Sequence, residues 1–280
     1  MSSKIKIVAI DLDGTLLTTN KRITPYNLAL LNKMMLNGVI LVIATGRPLV
    51  GIDIAIRSIP NIRYVLTANG ARVVDLETGE TIIEELLDYQ KAIKVLELLD
   101  KYDCLKEIFY DGQGYISKED MDKVHLYHKK QEICEYVRQS RMAVPDIMEV
   151  AKANSGGADK AHAIFADMSI RKKVLNELEI IGGLNLKDSL SYNIEINKLG
   201  VDKGSSLIRL GEILNISRQE IMAIGDGDND IEMLEMAGLG VAMKNARDGV
   251  KRVADYVTLS NDEDGVAKAI EKFVFQQEKH

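Results

Sequence analysis

Tryptophan is absent from this 280-residue chain, and the two cysteines, Cys104 and Cys134, stand apart without a C-x-x-C pair. That scarcity argues against a disulfide framework and for two reduced thiols in a cytoplasmic protein. Long apolar runs are also lacking. The longest, Val39–Ala44, is far short of the ~20 residues of a membrane span. Met1–Ile10 has too few apolar residues for a signal peptide. Basic residues are outnumbered, 36 against 42, for a net charge of −6, and they form no cationic stripe. This excludes a general nucleic-acid surface and favours a soluble protein. An acidic protein that binds an anionic substrate needs a mediating cation.

What is present is ordinary globular composition, 46% hydrophobic and 28% charged, enough for one large domain or two smaller ones. Ile5–Ile10 and Val39–Ala44 read as buried strands. Between them Thr24-Pro25 gives an N-cap and a proline at the first helical position, and Gly38 ends the helix. Pro48 is expected to begin a second helix. The rhythm returns after residue 197: a helix capped by Asp202, strands at Ile221–Ile224, "GLGVAM" and "YVTLS", and helices over Asp230–Ala237, Asn245–Ala254 and Asp262–Phe275. Strand alternating with helix predicts an α/β fold, a doubly wound parallel sheet. From about Leu86 to 196 the strands alternate instead, around Asp111-Gly112 and at Ser191–Asn197, which predicts an antiparallel sheet with one open face. Residues 86–196 are therefore expected to form an α+β domain inserted into a core of residues 1–85 and 197–280.

Polar residues gather where core strands end or helices begin: Asp11 and Asp13, Thr45 in "ATGRP", "GDGDND" at Gly225–Asp230, and Lys203 in "GVDKGSS". Ligands of open α/β sheets bind outside the carboxyl ends of the strands, so these segments should share a crevice. It would hold Asp11, Asp13, Asp226 and Asp230, with Asp228 turned away, against Lys203 and Arg47. Two carboxylates ~4 Å apart repel by ~4 kcal/mol at an effective dielectric near 20, and a divalent cation relieves this. Oxygen ligands favour Mg²⁺ or Ca²⁺ over zinc. The calcium loop of an EF-hand fails, since Ile231 stands where glycine is required counting from Asp226. Carboxylates holding Mg²⁺ opposite hydroxyl, amide and ammonium donors describe phosphoryl transfer, with one aspartate as nucleophile and another as acid and base.

In their order, "DLDGTLL", "ATGRP", "GVDKGSSL" and "GDGDNDIEML" resemble the four motifs of the haloacid dehalogenase superfamily of phosphatases. "TANGARV", "YNIEINKLGVDKG" and "YVTLSNDEDGVAKAIEKF" resemble its Cof-type branch, which carries a large α/β cap and includes many sugar phosphatases. The resemblance implies that Asp11 is the nucleophile and a metal ligand, and Asp13 the acid/base with its carbonyl on Mg²⁺. Lys203 would hold the phosphoryl group, which Leu12, Thr45, Gly46 and Asn229 would also bind. Asp226 would be a metal ligand, with Asp230 orienting the ligands from behind. A small phosphate ester as substrate follows; a phosphomutase and a silent phosphate-binding regulator are the alternatives. Elsewhere plainer readings suffice: a solvated helix for His125 and His128, core filling for Met222, Met233, Met236 and Met243, and hairpin packing for Tyr110 and Tyr115.

Overall fold

Four apolar residues, Ile7–Ile10, form an inner strand of an eight-stranded sheet in the computed structural model, which describes residues 4–187 and 190–276. The described residues divide into two compact units, one comprising the chain to Thr45, Ile54–Ile83 and the chain from Asp202, the other Gly46–Asp53 and Glu84–Val201.

The strand order of the large sheet is Tyr256–Val257, Leu239–Ala242, Ile221–Gly225, Ile7–Ile10, Ile40–Ala44, Tyr64–Thr67, Arg72–Asp75, Thr81–Glu84. The first six run parallel, and Arg72–Asp75 turns back antiparallel. This is the expected α/β doubly wound architecture. Ile7–Ile10 is buried on both faces because helices flank the sheet: Pro25–Leu36 packs with Gly265–Ile270, and Lys203–Ile213 with Ile231–Met236. Thr24 caps the first of these helices, its side chain accepting from the Asn27 amide, and Pro25 opens it. Asp202 and Ser205 form a reciprocal cap at the start of Lys203–Ile213.

Local expectations are corrected at several points. Pro48 leads into a single turn, Leu49–Gly51, and then the four-residue helix Ile54–Arg57. Val50, Gly51 and Ile52 are poor helix formers, and a Cβ on Gly51 would lie 2.4 Å from the Tyr136 hydroxyl. The helix expected from Asn245 starts at Asp248, because Asn245 serves the loops: its amide donates to the Gly14 carbonyl and its oxygen accepts from the Asn261 amide. The last helix is broken at Asp264, which is left-handed at φ 59°, and the regular helix is Gly265–Ile270 followed by a π-helical turn.

The second unit holds a six-stranded sheet, in the order Leu184–Lys187, Asn193–Lys198, Lys160–Ile164, Leu105–Tyr110, Gln113–Ser117, Arg141–Val144. It is mixed rather than antiparallel, since Gln113–Ser117 and Arg141–Val144 run parallel. One face carries an apolar cluster including Ile108, Tyr110, Ala163, Ile194 and Ile196, covered by helices Tyr89–Leu99 and Met168–Ile181. The other face is not the open one expected. Its Glu107, Lys160 and Glu195 are buried and, as buried charges require, paired. Glu107 binds Arg141 at 3.0 and 3.2 Å and His162 at 2.9 Å. Lys160 binds Glu195 at 2.6 Å.

Candidate active site

Parallel register builds the site of the first unit. Ile10 is level with Ile224 on one side and Ile43 on the other. One residue further, the three strands end together, and Asp11, the Gly225-Asp226 step and Ala44-Thr45 emerge along one edge. A strand interior would bury these polar groups without partners; its carboxyl end presents them together.

Lys203, with no solvent exposure, reaches this edge from the first turn of its helix. Its Nζ donates to Asp11 Oδ1 and to Asp230 Oδ1, each at 2.7 Å. Burial opposes the ammonium charge, but Asp11 and Asp230 together raise Lys203 above the ordinary lysine range. Asp230 uses its second oxygen to accept from the amides of Asp226 and Gly227, at 3.0 and 2.9 Å. It thereby ties the lysine to the loop that carries Asp226. Asp226 Oδ1 accepts in turn from Thr15 Oγ1 at 2.7 Å.

Burial raises Asp11 well above the ordinary carboxylate range; Lys203 pulls it down while Asp230 and Asp226 push it further up. Asp226 is pushed up to about 6, first by burial and then by Asp230. Asp11, Asp226 and Asp230 each offer an oxygen, all within 4.8 Å of one another. Fully ionised, three carboxylates against one ammonium would leave two negative charges in a largely buried place. All-oxygen donors with that surplus suit a divalent hard cation such as Mg²⁺.

Gly14 is required by this crowding. It is left-handed at φ +91°, and a Cβ there would lie 2.4 Å from Asp226 Oδ2.

The other expected residues are placed as follows. Asp13 stands apart from the three-carboxylate group, its Oδ1 accepting from Lys21 Nζ at 2.6 Å. Leu12 lies between the two aspartates with its side chain fully buried, and its carbonyl accepts from the Leu17 amide at 2.9 Å. Thr45 is buried at the strand end, its amide donating to the Leu66 carbonyl and its carbonyl accepting from the Asn69 amide. Asn229 donates to Asn69 Oδ1 at 3.2 Å. Asp228 pairs with Arg247 and takes no part in the carboxylate group. Gly46 and Arg47 group with the second unit. There the Gly46 carbonyl accepts from Lys160 Nζ at 2.8 Å, and Arg47 lies over the Tyr136 ring. In that unit Tyr110 and Tyr115 pack 6.3 Å apart, His128 lies edge-on to Tyr192, and Cys104 and Cys134 are buried and free.

Three contacts escaped the sequence reading. Thr15 belongs to the D-x-D-G-T motif, and its place one residue past Gly14 was the available signal. Asn69 sits in "TANGARV" as a left-handed residue at φ 58°. Lys21 carries no sequence signal of its own.

The haloacid dehalogenase-like hydrolase family model matches residues 8–270. The chain belongs to that family. Among its relatives this hydrolase is 34% identical over 271 residues to 5-amino-6-(5-phospho-D-ribitylamino)uracil phosphatase YcsE of Bacillus subtilis, with 96% of each chain covered. It is 30% identical to phosphatase YwpJ of the same organism, covering 94% of this chain and 98% of that one. A solved haloacid dehalogenase-like hydrolase from B. subtilis superposes with a TM-score of 0.83 at 30% identity, covering 95% of this chain and 99% of that one. Among the described residues no helix is long and apolar enough to cross a membrane.

Proposed function

We propose that this haloacid dehalogenase-type phosphatase hydrolyses small phosphate monoesters, sugar phosphates in particular, with Mg²⁺ and through a phosphoryl-aspartate at Asp11. The observation that carries the reading is the buried Lys203 ammonium held 2.7 Å from Asp11 and from Asp230, beside Asp226. A carboxylate so placed has a cation to offset its charge as it meets an anionic phosphoryl group. The name of the Bacillus relative, a 5-amino-6-(5-phospho-D-ribitylamino)uracil phosphatase, supports a polyol or sugar phosphate. Two buried free thiols accord with a cytoplasmic protein.

In the first half-reaction an Asp11 oxygen forms a bond to phosphorus while the bond from phosphorus to the ester oxygen breaks. Asp13 gives that oxygen its proton, and the alcohol leaves. In the second half a water attacks the phosphorus, Asp13 takes the water's proton, and the Asp11–phosphorus bond breaks to release orthophosphate. Lys203 binds a phosphoryl oxygen throughout, and Thr45, Asn229 and the backbone at Leu12 and Gly46 supply further donors. Asp11, Asp226 and the Asp13 carbonyl would hold Mg²⁺, with Asp230 orienting them from behind, and the ion would supply Lewis-acid neutralisation of phosphate charge. Residues 86–196 act as a cap that selects the leaving group.

The test is a panel of phosphate esters assayed with Mg²⁺ and with excess chelator. Orthophosphate release that chelation abolishes and Mg²⁺ restores is expected. Full activity in chelator, or an isomerised sugar phosphate as the product, would contradict the reading.

A further inference from the structure

Asp13, the proton donor of the reading above, lies outside the group formed by Asp11, Asp226 and Asp230, and a lysine eight residues further on binds its carboxylate. Lys21 Nζ donates to Asp13 Oδ1 at 2.6 Å, and both side chains are part-exposed, at 56% and 38%. An exposed ion pair of this kind contributes little to stability. What it does is place a fixed donor on one oxygen of the Asp13 carboxylate, which favours one torsion of that short side chain.

The lysine is itself held in place. Its backbone is left-handed at φ 58°, a conformation that glycine adopts without strain and that long side chains rarely take. The loop around it is closed by Thr18 N donating to the Arg22 carbonyl at 2.9 Å and Lys21 N to the Thr18 carbonyl at 2.8 Å. Thr18 Oγ1 also donates to the Arg22 carbonyl at 3.0 Å. The adjacent Thr19 is fastened through its amide and hydroxyl to the Asp262 carboxylate, at 2.8 and 2.7 Å. Glycine would make this turn more easily, so what the lysine adds is its side chain, aimed at Asp13.

We infer that Lys21 is a positioning residue, which orients the Asp13 carboxyl for proton delivery to the leaving-group oxygen. The inference rests on the proposed role of Asp13. It concerns the first half-reaction, in which the phosphorus–oxygen bond breaks and the departing oxygen takes the Asp13 proton. A departing group that is stable as an anion needs that proton little; a more basic one needs it fully.

The test uses single turnovers with enzyme in excess, following release of nitrophenol from p-nitrophenyl phosphate and of phenol from phenyl phosphate. These esters share a shape and differ in the basicity of the departing group. In Lys21→Met the ratio of the nitrophenyl rate to the phenyl rate should rise about fivefold, the most that an exposed ion pair is worth. Lys21→Arg should return it to within about twofold of wild type, because the donor is restored. Melting temperature should not move, which separates positioning from folding. Asp13→Asn is run beside them and should raise the ratio further. If Lys21→Met slows both esters equally or leaves the ratio unchanged while Asp13→Asn raises it, the role of Lys21 is refuted and that of Asp13 stands. If neither variant raises the ratio, Asp13 is not the proton donor and the underlying reading fails.

Discussion

Replacing Lys203 with methionine removes the cation bonded to both Asp11 and Asp230, and the cost can be worked from their burial. Lys203 has no exposure, and the Asp11 and Asp230 side chains retain 9% and 1%. Methionine fills a similar volume, so the loss is electrostatic rather than a cavity. Removing one partner of a buried pair costs about 3–5 kcal/mol, since the charge left behind has neither water nor counter-ion. Proton uptake by a stranded carboxyl limits the penalty, which favours the lower end. About 3 kcal/mol corresponds to a fall of roughly 10 °C in the melting transition of a unit this size. Differential scanning calorimetry in chelator is the assay, because it reads the melting transition directly. Mg²⁺ should recover part of the loss in the variant. Adding Asp230→Asn to Lys203→Met should cost less than the sum of the two single changes, by about 1 kcal/mol or more. A shift below about 3 °C for Lys203→Met in chelator, with additive double-variant behaviour, would refute the reasoning.

Other outcomes follow from the same geometry. Gly14→Ala forces a Cβ to 2.4 Å from Asp226 Oδ2 at φ +91°; it should destabilise by about 1–3 kcal/mol and weaken Mg²⁺ binding measured by titration calorimetry. Asp226→Ala should weaken Mg²⁺ binding at least tenfold, an outcome read in the same calorimeter, while circular dichroism stays native. In the second unit Glu107 is buried; burial would raise its pKa, but Arg141 and His162 hold it well below the ordinary value of 4.5. A depressed carboxyl contributes stability above its unfolded pKa and loses it as pH falls through the folded value. Wild type should therefore lose stability below about pH 4.5, whereas Glu107→Gln should be less stable at pH 7 and show a flatter acid limb in calorimetry. Replacing residues 86–196 with a short linker should, in a folded protein, spare slow hydrolysis of p-nitrophenyl phosphate and erase discrimination among sugar phosphates; an unchanged substrate ranking would place selectivity in the core.

The core was legible because parallel strands buried on both faces read as unbroken apolar runs, and Ile7–Ile10 and Ile40–Ala44 do. Once those runs are placed, register alone brings Asp11, Asp226 and Thr45 to one edge. Less was legible where burial and period part company. Arg141–Val144 is a short edge strand with exposed central residues, and Leu184–Lys187 is only half buried throughout, so neither offers a clear alternation. Glu107, Lys160 and Glu195 carry no sequence signal of burial, because charged residues are usually exposed; pairing with Arg141, His162 and each other lets them be buried. The break at Asp264 did have a signal, the Asp264-Gly265 dipeptide, overridden by the apolar spacing that follows it. Lys21 could not be found by pattern, since its meaning depends on a loop closed by Thr18 and fastened through Thr19 to Asp262, far along the chain.

The central claim is that Asp11 carries the phosphoryl group between ester and water. Rapid acid quench during turnover of a phosphate ester with Mg²⁺, followed by peptide mass spectrometry, tests it most directly. The account predicts one added phosphoryl group, confined to the peptide containing Asp11, formed before orthophosphate reaches its steady rate. Asp11→Asn should lose both the adduct and turnover. Full turnover by Asp11→Asn, or a wild-type enzyme that turns over without any phosphoryl-peptide, would contradict it.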